Sequence, residues 1–87
     1  MAEIWVTLKV LPEEVDTNLE DLKEKISEIT IGKFKKVEEE PIAFGMVALK
    51  PSFVVAEIEG ATDKLEEAVK KIKGVGEVTV INETRLL

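Results

Sequence analysis

Between Glu3 and Val10 the residues alternate, with Ile4, Val6, Leu8 and Val10 on one side and Glu3, Thr7 and Lys9, together with the aromatic Trp5, on the other. A period of two marks a strand with one face in a core and the other toward water. Such a strand needs a cover for its apolar face, and the chain supplies two. Leu19, Leu22, Ile26 and Ile29 recur at helical spacing, as do Leu65, Ala68, Val69 and Ile72. Each set draws one apolar stripe along a helix whose remaining surface is charged.

The helix boundaries carry their own signals. Thr17 and Glu20 have the spacing of a capping box, and Asp63 with Glu66 repeats it for the second helix. Asp21 and Lys25 stand four apart, as an ion pair on the outer face requires. Glu66 and Glu67 lie near the second helix's start and Lys70, Lys71 and Lys73 near its end, the arrangement the helix dipole favours. Gly32 and Gly74 are the expected stops, since glycine adopts the left-handed turn that ends a helix.

Three further strands are predicted. Residues 33–41 are densely charged and end in Pro41, which suits an edge strand that must resist pairing with another chain. After an apolar connection, Pro41-Ile42-Ala43-Phe44-Gly45, a β-prone run covers 46–59 with Pro51 inside it. Proline cannot donate to a ladder, so a bulge or register break is expected there. The last strand is predicted over 77–81, followed by a tail over 82–87.

The order is β-α-β-β-α-β, with an internal echo between residues 19–26 and 65–72. Two such units make an α+β ferredoxin-like sandwich, a four-stranded antiparallel sheet with both helices on one face. The first and third strands are then central, the second at an edge. At 87 residues the chain (1–87) has room for one core and one domain.

Composition removes several functions. With no Cys and no His, there is no thiolate nucleophile, no cysteine or histidine metal site and no imidazole base. A net charge of −6 opposes binding to phosphate backbones, so no direct nucleic-acid contact is expected. No apolar run approaches the roughly 18 residues of a membrane span. Met1-Ala2-Glu3 opens no signal peptide. The reading is a cytoplasmic protein, a monomer, with no catalytic residues, metal or cofactor. The absence of Gln beside abundant Glu and Lys matches the bias of heat-adapted proteins.

Three places are not explained by the core pattern. Phe44, between Pro41 and Gly45, either folds back over the core or protrudes as an apolar anchor on a stiffened turn. Arg85-Leu86-Leu87 is either a frayed tail or a cationic and apolar tip facing a partner. Trp5 falls on the uncovered side of the sheet, where shielding its strand neighbours is favoured over a contact role. The acidic runs at 13–14 and 38–40 lack the alternating ligands of a calcium loop and read as solvated faces. Gly74-Val75-Gly76 lacks the rest of any phosphate-binding fingerprint.

The segment Glu40-Pro41-Ile42-Ala43-Phe44-Gly45-Met46-Val47-Ala48-Leu49 resembles the archaeal elongation factor 1-beta family, and is similar to the Pro-[Ile/Val]-Gly-[Phe/Tyr]-Gly segment of the eukaryotic exchange domain. Val6 to Pro12, Leu65 to Ala68 and Arg85-Leu86-Leu87 fit the same family, so the resemblance runs the length of the chain. It implies a guanine-nucleotide exchange factor that meets elongation factor 1-alpha in its GDP-bound and nucleotide-free forms. In the eukaryotic family the loop aromatic enters a pocket of the GTPase, and a penultimate lysine disturbs the magnesium and phosphate site. Phe44 matches the aromatic. The penultimate residue here is Leu86, and Arg85 is the nearest cation. The partner-binding residues so implied are Ile42, Phe44, Gly45, Arg85 and Leu86. The alternatives are a ligand-sensing or oligomerising ferredoxin-like module and an acylphosphatase-type enzyme; Pro12-Glu13-Glu14, where the latter would hold phosphate, disfavours it.

Overall fold

The computed structural model describes residues 2–86. Its order is β1 (Glu3–Pro12), α1 (Leu19–Ser27), β2 (Lys33–Pro41), β3 (Val47–Ala56), α2 (Ala61–Lys70) and β4 (Val75–Leu86). The strands form one antiparallel sheet in the order β2-β3-β1-β4. This is the expected ferredoxin-like arrangement, with β1 and β3 central and the charged β2 at an edge. No helix among the described residues is long and apolar enough to cross a membrane.

The alternation in β1 sets the core. Val6, Leu8 and Val10 are fully buried, and they meet Leu49, Phe53 and Val55 from β3 and Val75 and Val78 from β4. Leu22 and Ile26 of α1 and Ala61, Leu65 and Val69 of α2 close this layer. Phe34 and Val37 of β2 also pack against it, although three residues apart they would fall on opposite faces of a regular strand. A bulge between Phe34 and Lys36 inserts one extra residue and turns both inward. Phe34 then meets Phe53 edge to face, with ring centroids 5.5 Å apart.

Pro51 is accommodated without the register break its sequence suggests. β3 stays continuous and Pro51 pairs with Val37 of β2, while the ladder toward β1 lapses at Lys50 and Pro51. It resumes on the same register, with Thr7 opposite Ser52 on one side and Val10 opposite Leu49 on the other. On the face without helices Trp5 is half-buried between Val54 and Thr84, and the Thr7 and Ser52 hydroxyls are joined at 2.9 Å.

The helix starts differ from the expected caps by local chemistry. Asn18, not Thr17, caps α1, its Oδ1 accepting from the Asp21 N–H at 3.0 Å. The Thr17 hydroxyl instead accepts from the Glu14 N–H at 3.0 Å. Helix α2 starts after Gly60, in the left-handed region, so Asp63 lies within the first turn rather than at the cap. The Asp21–Lys25 pair forms at 3.0 Å.

β4 is the largest departure from the pattern, a twelve-residue strand to Leu86 rather than a short strand and a tail. Beyond Ile81 every described residue of it is exposed, so alternation gives no signal; pairing with β1 holds it extended. Arg85 sits opposite Ile4 and Leu86 opposite Glu3. Leu87 lies outside the described residues.

Gly32 enters β2 rather than ending α1, whose last residue is Ser27. Its φ is +80°, and a Cβ there would stand 2.6 Å from Val55 Cγ1 and 2.7 Å from the Val54 carbonyl oxygen. Gly60 has φ +81° but open space around it. Gly60→Ala should therefore cost only the left-handed conformation, about 1–2 kcal/mol, and Gly32→Ala clearly more, because two central-strand groups must also move. Urea titration of the two variants measures the ranking; equal losses would show that the close approach has no energetic weight.

Candidate functional site

The β2–β3 connection is a turn from Ala43 to Met46, closed by the Met46 N–H on the Ala43 carbonyl at 3.4 Å and by the Ile42 N–H on the Met46 carbonyl at 2.8 Å. Its two central residues both have positive φ, Phe44 at 63° and Gly45 at 74°. This is the left-handed kind of turn whose twist suits a hairpin, and Asn-Gly or Gly-Gly usually occupies it. A phenylalanine there is costly, roughly 1–2 kcal/mol for the left-handed conformation. Phe44 is the only described residue other than glycine with positive φ.

No packing offsets that cost. Phe44 is 96% exposed, so the ring stands out from the end of the sheet. Of the two readings the sequence leaves open for Phe44, protrusion is the one observed. Ile42 is half-buried at the base of the turn, and Gly45 is exposed beside Phe44. These three residues form one tip. Strain held at a solvent-facing side chain points to a role outside the fold.

Polar contacts fasten the base of this hairpin. Lys50 of β3 donates to Glu40 Oε2 at 3.1 Å, and Lys9 of β1 lies 3.5 Å from Oε1, so one carboxylate joins three strands just before the turn. Lys23 of α1 reaches Glu39 as well as Glu20, tying the helix to the same hairpin. The hydrogen bond with Glu39, then that with Glu20, raises the Lys23 pKa above its ordinary value. No periodicity argument on β2 singles out Glu39 or Glu40 within a run of three glutamates. Their partners come from other elements.

Arg85 and Leu86 lie elsewhere. Ala56, at the far end of β3, pairs with Glu3, which pairs with Leu86. The tip and the Arg85 region are therefore separated by the length of β3, ten residues or roughly 30 Å, in a molecule 41 Å along its longest axis. Arg85 Nε lies 2.8 Å from Glu57 Oε2 in an ion pair, both side chains being partly exposed. Leu86 is 36% exposed at the sheet edge.

The described residues contain no pocket and no group of three or more acidic side chains placed to hold a metal ion. What the surface offers is a projecting apolar side chain at one end and a cation at the other. Val15, 62% exposed, belongs to the first of these ends and was not singled out by sequence. The available signal is its oddity, a lone apolar residue among Glu13, Glu14, Asp16 and Thr17.

Glu40 gives a pH-dependent check on the base of the tip. Its hydrogen bond with Lys50, then the charges of Lys50 and Lys9, hold its carboxyl below the ordinary value of 4.5. The unfolded chain thus binds the proton more readily, and the stability from this contact is full above pH 4.5 and lost as pH falls through the folded value. Glu40→Gln should be less stable than the parent by a constant margin at neutral pH, narrowing in acid. Urea midpoints between about pH 7 and pH 3 read the margin; one that does not change with pH would remove the carboxylate from this role.

Comparison with known proteins adds the family. Residues 5–86 match the family model described as the EF-1 guanine nucleotide exchange domain. The chain is 43% identical to elongation factor 1-beta of Methanobrevibacter smithii and 44% identical to that of Methanothermobacter thermautotrophicus, in both cases over 100% of each chain. It is 45% identical to elongation factor 1-beta of Staphylothermus marinus, over 92% of each chain. With all four strands reached by the match and an aromatic projecting from the hairpin that carries the family-like segment, the chain belongs to the EF-1 guanine nucleotide exchange domain family.

Proposed function

We propose that the protein promotes exchange of GDP for GTP on elongation factor 1-alpha, acting in the cytoplasm as a monomer, without chemistry of its own. The observation that carries the reading is Phe44, an almost fully exposed aromatic held in a strained turn at the end of a rigid hairpin. A projecting aromatic is the usual form of an interface anchor. Its fixed turn lowers the ordering cost of binding.

An exchange factor works by differential affinity. It binds the nucleotide-free GTPase more tightly than the GDP-bound form, and by reciprocity GDP loosens the factor to the same extent that the factor loosens GDP. Nothing in this requires an acid, a base or a metal on the factor itself. Phe44 is the main wedge, with Ile42 and Gly45 shaping its turn. Arg85 and Leu86 form a second contact, with Arg85 the cation that reaches toward the phosphate and magnesium region of the partner. Because the two contacts lie at opposite ends of the sheet, they act on separate parts of the GTPase.

Release of a fluorescent GDP analogue from an archaeal elongation factor 1-alpha tests the reading. The parent protein should accelerate release. Phe44→Ala should lower the acceleration by about 30-fold or more, as expected for loss of a central anchor, and Arg85→Ala by only a few-fold. Separated by roughly 30 Å, the two substitutions should combine multiplicatively. Phe44→Gly should lose exchange equally while folding at least as stably, since glycine relieves the left-handed strain. Unchanged exchange in Phe44→Ala would remove that residue from the mechanism, and no acceleration by the parent would overturn the function.

A further inference from the structure

We propose that Val15 is a further contact residue for the GTPase, entering the same apolar depression as Phe44, so that the docking tip is built from two loops. The inference rests on the exchange reading and extends it to a segment outside the β2–β3 hairpin.

Three observations converge on Val15. The first is turn geometry: residues 14–17 form a turn in which the Thr17 N–H donates to the Glu14 carbonyl at 3.2 Å, while the Glu14 N–H donates to the Thr17 hydroxyl at 3.0 Å. The Glu13 N–H donates to the Gly74 carbonyl at 2.9 Å and fastens the loop to the start of β4. Val15 and Asp16 are thus the central pair of a doubly closed turn, positions that Pro, Asn, Asp, Ser and Gly normally fill. A valine there serves no turn chemistry.

The second is exposure. Val15 is 62% exposed and outside the core cluster, so it serves no packing either. The third is position: a Cβ built on Gly45 would stand 3.6 Å from Val15 Cγ2, so the valine lies beside the Phe44 turn. Two exposed apolar side chains, each held by a closed turn, thus stand at the same end of the sheet.

The tip also has a charged fringe. Glu13, Glu14 and Asp16 are exposed, and none of them is in an ion pair among the described residues. The complementary surface on the GTPase is an apolar depression rimmed by cations.

The test uses the same nucleotide-release assay with the full chain, together with thermal melting. Val15→Ser should lower exchange efficiency about five- to tenfold, the scale expected when only the 62% of the valine left exposed by the fold gains burial on docking, with an unchanged melting temperature. Val15→Leu, which keeps an apolar side chain, should stay close to the parent. In a Phe44→Ala background, Val15→Ser should have a much smaller effect, because residues sharing one depression are coupled. If the parent accelerates release and Val15→Ser equals it, Val15 is not a contact. An equal loss in both backgrounds would overturn the shared depression. A parent without activity would overturn the exchange reading, and this inference with it.

Discussion

Everything in this molecule is arranged around β1, which pairs with β3 on one side and β4 on the other while burying Val6, Leu8 and Val10 beneath two helices. A sheet of four strands needs its apolar face covered once, and two short amphipathic helices are enough to do so. Because strand residues alternate strictly, a slip of one position in β1 would expose this core and bury Trp5, Thr7 and Lys9. Register is thereby fixed along β3, despite Pro51, while β4 follows β1 as far as Leu86 with register shifts at Thr7/Leu8 and Leu11/Pro12. The separation of the two candidate contacts follows from this register.

A fixed sheet is also what allows a strained turn to persist. The left-handed conformation at Phe44 is unfavourable by itself, and the exposed ring returns no burial energy. The flanking strands hold the turn through their pairing, and Glu40 joins β1 and β3 to β2 immediately before it. On the exchange reading proposed above, a preset projection lowers the ordering cost of binding.

Much of the fold was legible because two periodicities do most of the work. Period two in β1 and period 3.6 in both helices follow directly from side-chain geometry; Val6, Leu8, Val10, Leu22, Ile26, Leu65 and Val69 are in the core, and Ile4, Leu19, Ile29 and Ile72 pack against it. The departures occur where local loop chemistry competes for a side chain or where partners lie far along the chain. Asn18 rather than Thr17 caps α1 because Thr17 is engaged by Glu14. Phe34 and Val37 share a face only through a bulge that no local pattern announces. The end of β4 is exposed on both faces, so its strand character comes from the ladder to β1 and not from hydrophobic alternation.

The candidate site divides the same way. Sequence by itself determined the element order, the covered face of the sheet, and that Phe44 sits in a short stiffened connection between Pro41 and Gly45. Those depend on spacing and on residue chemistry within a few positions. Tertiary structure alone decided that Phe44 projects, that Val15 stands beside it, that Glu40 secures the base of its hairpin, and that Arg85 lies at the opposite end. Each of these is a relation between residues distant in sequence, set by strand register and loop closure, and neither quantity is written in local composition.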